Sequence, residues 1–195
     1  NGGSALAANG DASMAMLVTH ISAAAGTLTW AAIEWKKFGK ASVLGAVTGM
    51  VAGLGTITPA SGSVSPGAAL IIGLCAGLVC FYATLYIKQK LKIDDSLDVF
   101  PVHGVGGILG SFMVGILCAS DLGPFSGYGF GGDNTSIGEQ LGAQTIGIVS
   151  VFIYTGVITW LILKAVDFTT GLRVDEEDES MGLDIALHEE KGYDL

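Results

Sequence analysis

Positively charged side chains are scarce in this sequence. Only nine of its 195 residues are Lys or Arg, and charged residues of both signs make up 14% of the chain. An ordinary soluble domain carries about 25% charged residues. Nine cations are too few to contact a phosphate backbone, which argues against a nucleic-acid-binding protein. The hydrophobic fraction of 50% excludes a disordered chain.

Motifs for catalysis and metal binding are also missing. The sequence has no nucleophile-and-base pattern, no phosphate-binding loop and no cluster of metal ligands. Its three cysteines lie in apolar stretches without C-x-x-C spacing, which favours small buried side chains: Cys75, Cys80 and Cys118. We therefore expect no enzyme, no catalytic residue, no metal and no cofactor.

Long apolar stretches dominate what is present. The mean hydropathy is +0.60 and the chain contains 30 glycines, which membrane helices use to approach one another closely. Five stretches reach or approach the roughly 20 residues that cross a bilayer, and residues 1–9 are typical of the end of one more helix. The sequence predicts an all-α, polytopic membrane helix bundle over residues 1–170. The five stretches are residues 12–35, 41–57, 66–87, 99–119 and 137–166.

The basic residues indicate the orientation of these spans. With five crossings, every Lys and Arg falls on one side of the membrane or at its interface, and residues 1–11, 58–66 and 119–137 contain none. The positive-inside rule places the basic side in the cytoplasm. Residues 171–195 hold nine acidic and two basic residues, which predicts an acidic cytoplasmic tail.

Glycines recur at four-residue spacing in three of the predicted spans. Such spacing places small residues on one helix face, where neighbouring helices pack closely. We therefore expect a compact bundle with seams at Gly45, Gly49 and Gly53, at Gly73 and Gly77, and at Gly106 and Gly110.

His103 is the strongest candidate for a functional side chain within a span. Ionisable groups inside a membrane are costly and indicate function, and an imidazole can be neutral near pH 7 while donating and accepting hydrogen bonds. On a helix, Asp95, Val99 and the pair Val102 and His103 would share one stripe. The alternative is a core histidine whose ring is bonded to a backbone carbonyl.

For two further polar residues, the sequence indicates a functional role less clearly. His20 lies among alanines in the first span, where packing or an interhelical hydrogen bond is the favoured role. Ser4 follows Gly2 and Gly3 at the outer mouth, where glycines let a ligand approach closely, although the end of a helix alone explains them.

Several segments together resemble the Amt branch of the Amt/Mep/Rh ammonium transporter superfamily. They are NGGSALAAN at residues 1–9, TPASG at 58–62 with GAALIIG at 67–73, DDSLDVFPVHG at 94–104, and the GLRV tail that begins at Gly171. The resemblance covers essentially the whole chain.

This resemblance implies a fold and a set of pore residues. The family fold has eleven membrane helices in two inverted five-helix repeats plus a final long helix, and it assembles as a homotrimer with one pore per subunit. The chain would hold the end of the sixth helix through the eleventh. His103 matches the second of two pore histidines, Ser4 the outer ammonium-recruitment serine, and Val99 an apolar pore-lining position. Asp95 matches a structural carboxylate near the inner end of the pore.

The resemblance also implies partners and a location. It predicts ammonium or ammonia as the substrate, with methylammonium as an analogue, in the plasma (inner) membrane with a cytoplasmic C-terminus. A PII-family signal protein is expected at the cytoplasmic exit, where the regulatory tail residues are Gly171, Leu172, Arg173 and Val174.

Three other functions remain as alternatives. A Rh-type gas channel belongs to the same superfamily, but the GLRV tail favours the Amt branch. An ammonium sensor would carry a signalling domain beyond the tail. An unrelated secondary transporter would show carboxylate or Na⁺ sites within its spans, and the sequence has no such pattern.

Overall fold

The computed structural model describes residues 1–192, and the regular secondary structure in that part of the chain is all helical. The predicted all-α class is therefore confirmed. A π-helical turn, Tyr86–Leu91, continues the third helix, and another, Phe100–Gly104, leads into the fourth. The α-helices are α1 Gly10–Phe38, α2 Val43–Ile57, α3 Pro66–Leu85, α4 Val105–Leu117, α5 Ile137–Thr169, α6 Glu176–Met181 and α7 Leu183–His188.

Four helical segments of the described chain are long and apolar enough to cross a membrane. They lie within a few residues of the predicted spans, and α2, with 15 residues, is the short one, as expected. The four are Gly10–Phe38, Pro66–Leu91, Phe100–Leu117 and Ile137–Thr169.

The turn between α1 and α2 is fixed by side-chain caps. Gly39 ends α1 at φ +79°, a left-handed conformation that glycine adopts without strain. The Ser42 hydroxyl oxygen accepts a hydrogen bond from the Gly45 N–H at 2.8 Å, while the Ser42 N–H donates to Glu34 Oε2 at 2.8 Å. The end of α1 thus holds the cap of α2.

Glycine faces bring α1, α2 and α3 into backbone contact, as predicted. A Cβ atom on Gly26 of α1 would lie 3.1 Å from the Cα of Gly53 on α2. A Cβ on Gly77 of α3 would lie 2.7 Å from the Cβ of Thr29. The buried Ser22 hydroxyl donates to the Gly53 carbonyl at 2.8 Å. All seven predicted seam glycines meet a neighbouring helix within 3 Å of such an added Cβ atom.

Two clusters of buried side chains form the core. One contains Val18, Ile57 and Ile72 from α1, α2 and α3. The other groups Trp30, Ala52, Cys80, Phe81 and Val102, and the Trp30 and Phe81 rings meet edge to face at 5.2 Å. Because Val102 belongs to this second cluster, the π-helical turn that carries His103 rests on the core.

Backbone hydrogen bonds hold the glycine-rich loop after α4 in place. The Gly127 and Gly129 N–H groups donate to the carbonyls of Ala119 and Cys118, each at 2.7 Å. The Tyr128 N–H donates to the Ser63 carbonyl at 3.1 Å. These bonds tie the loop to the end of α4 and to the turn between α2 and α3.

The chain divides into two compact units, residues 1–148 and residues 149–195. The second unit contains the C-terminal part of α5 and the tail. In the tail, Gly182 at φ +97° separates α6 from α7, and the Arg173 guanidinium binds both carboxylate oxygens of Glu179 at 2.6 and 3.1 Å. The membrane boundary at residue 170 stays a prediction.

The N-terminal residues form one short turn. Residues 1–9 contain the 3₁₀ turn Gly3–Ala5, and Leu6 closes it in a left-handed conformation at φ +58°. Helices often end in such a turn with a left-handed residue, so the expected end of a helix stays a prediction.

Candidate functional site

The His103 side chain lies on an exposed face of the first unit. His103 and Val99 are both exposed, Val99 to 53%, whereas Val102 between them is 2% exposed. Within residues 1–192 neither ring nitrogen of His103 forms a hydrogen bond, so the alternative of a buried, carbonyl-bonded histidine has no support in the structure. The face offers an imidazole beside apolar side chains.

The π-helical turn sets the direction of the His103 ring. The Val105 N–H donates to the Phe100 carbonyl, which closes a turn over five residues instead of four. Pro101 lacks an N–H group and therefore fits at the start of such a turn. Single π-helical turns of this kind are frequent at functional sites.

Asp95 has a different position from the one expected. It precedes the helical turn and does not share a helix stripe with Val99 and His103. Its two carboxylate oxygens accept hydrogen bonds from the Val99 and Phe100 N–H groups, each at 2.9 Å. A carboxylate that satisfies free N–H groups at a helix start is a strong cap, so in the structure Asp95 caps the turn that carries His103.

Asp98 was missed by the sequence analysis and anchors the same turn. Its backbone is left-handed at φ +56°, and its carbonyl accepts a hydrogen bond from the Val102 N–H at 3.0 Å. Its carboxylate Oδ1 pairs with the Lys88 ammonium at 2.7 Å. The sequence feature that could have indicated this role is the residue type, because Asp is among the few residues that tolerate a left-handed backbone.

Gly55 of α2 faces the His103 ring and was also missed. A Cβ atom on Gly55 would lie 3.8 Å from His103 Nδ1 and 3.8 Å from the Val102 carbonyl oxygen. This glycine stands outside the four-residue seam that includes Gly53, so no packing pattern singled it out.

A small polar spot lies beneath the turn. The buried Thr56 Oγ1 has no hydrogen-bond partner within the described residues. A Cβ atom on Gly106 would lie 2.8 Å from this oxygen and 3.4 Å from Cys80 Sγ. The Cys80 thiol lies 4.0 Å from the Val102 carbonyl. Small side chains therefore let the turn approach α2 and α3.

Ser4 lies in the exposed N-terminal turn. Its N–H donates to the Asn1 carbonyl at 3.2 Å, and the Asn1 amide donates to Thr19 Oγ1 at 2.9 Å and Thr58 Oγ1 at 3.4 Å. These bonds tie the turn to α1 and to the end of α2. No hydrogen bond or ion pair of the described chain joins Ser4 to His103.

The remaining candidates have local partners. One ring nitrogen of His20 lies 2.9 Å from the Met16 carbonyl of its own helix, so of the two predicted roles, packing or an interhelical hydrogen bond, the described residues do not show the second. In the tail, Gly171 is left-handed at φ +78°, Leu172 is exposed, and Arg173 pairs with Glu179. Val174 is half-buried.

A profile comparison decides the family. The model of the Ammonium Transporter Family matches residues 1–193 of the chain. The chain belongs to the ammonium transporter family. The resemblance drawn from the sequence is thereby confirmed.

Two archaeal relatives support this family membership. A putative ammonium transporter of Methanothermobacter thermautotrophicus is 45% identical over 195 residues, which are 100% of this chain and 47% of that protein. The ammonium transporter Amt1 of Archaeoglobus fulgidus is 45% identical over 193 residues, 99% of this chain and 48% of that protein. The chain thus spans about half the length of the curated relatives it matches.

A solved structure shares the helical arrangement. The protein named "Sensor Amt Protein" superimposes with a TM-score of 0.85 at 30% sequence identity, covering 96% of this chain and 44% of that one. The order and packing of the helices are therefore those of an Amt fold.

Proposed function

We propose that the full-length protein conducts ammonium, as ammonia, across the membrane through an apolar pore with a histidine lane. The observation that carries the proposal is the exposed imidazole of His103 beside Val99, in a member of the ammonium transporter family. A second repeat, supplied by the rest of the protein, would form the opposite wall and contribute a second histidine.

The selectivity of such a pore follows from its surface. An apolar lining penalises a bare cation heavily, whereas a neutral ammonia molecule exchanges hydrogen bonds with an imidazole at small cost. Deprotonation near the outer mouth, followed by passage of the neutral molecule along His103, is the mechanism that this surface favours.

Recruitment of ammonium would occur at the outer mouth. The Ser4 hydroxyl is exposed there, and the loops predicted to be outside contain no Lys or Arg that would repel a cation. Aromatic faces from the rest of the protein would complete the site through cation–π contact.

The assembly and orientation belong to the same proposal. The protein would form a homotrimer in the plasma (inner) membrane, with the basic loops and the C-terminal tail in the cytoplasm. The support for this orientation is the segregation of all Lys and Arg residues to one side of the spans.

The acidic tail would regulate the pore from the cytoplasm. Residues 171–174 would dock, with the acidic run that follows, under the basic loops and help to bind a PII-family protein at the exit. Exposed ion pairs contribute about 0–1 kcal/mol each, so the docking would be reversible. The basic loop residues are Lys36, Lys37, Lys40, Lys88, Lys90 and Lys92.

Flux of labelled methylammonium into vesicles that contain the full-length protein tests the proposal. We expect saturable uptake that unlabelled ammonium inhibits, with empty vesicles as the control. Uptake no faster than in empty vesicles would rule out transport by this protein.

Ammonium sensing is a second candidate, because one structural neighbour is named a sensor. A sensor would bind methylammonium, detectable by isothermal calorimetry, with little or no flux. Transport remains the preferred function because the two relatives at 45% identity are both named transporters.

A further inference from the structure

One ion pair joins α3 to the turn that carries His103. Lys88 lies in the π-helical extension of α3, and its ammonium is 2.7 Å from Oδ1 of Asp98. That oxygen is buried and has no other hydrogen-bond partner within the described residues. Lys88 is therefore the cation that holds the Asp98 carboxylate in place.

Asp98 connects this ion pair to His103 through the backbone. Its carbonyl accepts the Val102 N–H at 3.0 Å, so the position of Asp98 sets where the turn begins. Pro101 supplies no N–H group, and a left-handed backbone at a residue with a side chain is held only by its surroundings. Asp95 caps the Val99 and Phe100 N–H groups but does not contact α3 through any hydrogen bond or ion pair of the described chain.

We propose that Lys88 is a positioning residue for His103, acting through Asp98. The pair fixes the start of the π-helical turn against α3, and this sets the direction of the imidazole on the exposed face. The inference rests on the proposed function, since it assigns to the pair a share in how the pore distinguishes ammonium from K⁺.

The exposure of the pair separates positioning from stabilisation. The Lys88 side chain is 38% exposed and the Asp98 side chain 17%. Lys88→Met would therefore leave a buried carboxylate oxygen unpaired and reduce the amount of folded protein, whereas Asp98→Asn removes the buried charge and leaves only the more exposed lysine without a partner. A small displacement of a positioned group has a large effect on its chemistry, so in Asp98→Asn selectivity should change more than the amount of folded protein.

The test uses the full-length protein in vesicles, with methylammonium flux and K⁺ flux measured per folded protein. Lys88→Met removes the cation and keeps an apolar side chain of similar length, and Asp98→Asn removes the anion while tolerating the left-handed backbone. Lys88→Arg keeps the charge. Lys90→Met is the matched control, because it removes the same charge from the same turn and from the same basic loop that the tail would contact, and Lys90 has no ion pair in the described chain.

We expect Lys88→Met and Asp98→Asn each to lower the ratio of methylammonium to K⁺ flux by about 2- to 5-fold. Lys88→Arg and Lys90→Met should stay near the wild-type ratio. The double variant should be no worse than the stronger single variant, since both changes remove one interaction.

An unchanged ratio in Lys88→Met and Asp98→Asn, with wild-type flux present, overturns the inference and leaves the proposed function standing. Equal effects of Lys90→Met and Lys88→Met also overturn it, because charge alone would then be responsible. If Lys88→Met yields no folded protein, the flux ratio of Asp98→Asn alone tests the positioning role. Absence of methylammonium flux in the wild type overturns the proposed function, and the inference falls with it.

Discussion

An imidazole is the least costly ionisable side chain with which an apolar surface can offer hydrogen bonds. His103 occupies such a surface, with Val99 one helical turn before it and the Cα of Gly55 opposite its ring. What this ring does in the pore is best separated from what it does for folding by replacing it in two ways.

His103→Ala should lower methylammonium flux per folded protein while the protein still folds. The change removes one polar partner, and losing a hydrogen bond of this kind costs about 1–3 kcal/mol, equivalent to about 5- to 150-fold in rate. Flux in vesicles, normalised to folded protein from size-exclusion chromatography, provides the measurement. A fall in folded protein with unchanged flux per molecule would assign His103 a structural role.

His103→Glu should keep part of the flux and weaken discrimination against K⁺. A carboxylate still accepts hydrogen bonds, but its negative charge favours a passing cation. Competition of K⁺ with labelled methylammonium checks this result. Undiminished discrimination in this variant would argue against His103 as a pore-lining residue.

Gly55 should tolerate one methyl group but not a larger side chain. A Cβ atom there would be 3.8 Å from His103 Nδ1, an ordinary van der Waals contact. Gly55→Ala should therefore keep flux within about 2-fold, whereas Gly55→Leu should reduce it by at least about 10-fold by crowding the ring. Flux per folded protein is measured for both. Equal flux in the two variants would place the transport path away from this ring.

At the scale of the helices, close packing across glycines holds α1 against α2. The carbonyl of Gly53 accepts the Ser22 hydroxyl at 2.8 Å, and an added Cβ atom on Gly53 would meet the backbone of Ser22 and Ala23. Backbone cannot move aside as a flexible side chain can. The crossing of these helices therefore depends on the absence of a side chain at this position.

Gly53→Ala should destabilise the protein by about 1–3 kcal/mol through overpacking. Gly107→Ala on α4 is the matched control, because an added Cβ atom there meets nothing within 4 Å. The fraction of protein that stays folded after heating in detergent is measured for both. If both variants keep the same folded fraction after heating, the contact at Gly53 accommodates a methyl group without loss of stability.

The tail should contribute to binding of the signal protein. A full-length protein truncated after Val174 lacks the acidic run, and we expect it to capture less PII-family protein in a pull-down than the intact protein does. The exposed Arg173–Glu179 pair indicates that the tail can form ion pairs of its own. Equal capture by both forms would argue against a role of the acidic run in this contact.

The positions of the helices could be predicted because hydrophobic length and glycine spacing are properties of the local sequence. The details around His103 could not, because helical periodicity alone predicts a regular helix from Asp95 onward. The structure instead has a capping carboxylate at Asp95, a left-handed Asp98 and a turn closed over five residues. The Asp95 cap and the turn form their hydrogen bonds within five residues of chain, and Asp98 pairs with Lys88 ten residues earlier, but none of these contacts follows the regular helical period.

At the scale of the whole molecule, the first unit presents an open face that contains Val99 and His103. A protein of twice the length, as in the curated relatives, would cover this face with a second repeat.

Residues 1–195 alone should not conduct ammonium, because they supply only one wall of the proposed pore. Vesicles with this segment should take up methylammonium no faster than empty vesicles, and co-reconstitution with the remaining part of the protein should restore uptake. Selective conduction by the segment alone would show that the pore does not need a second repeat.

The π-helical turn also constrains how the length of this region can change. A turn closed over five residues contains one residue more than an α-helical turn. Deleting one residue between Asp98 and Val105 would let an α-helical turn close the same segment while the residues on either side keep their helical phase. A single-codon deletion here would therefore preserve α4 and the capped start of the segment but remove the widened turn that carries His103.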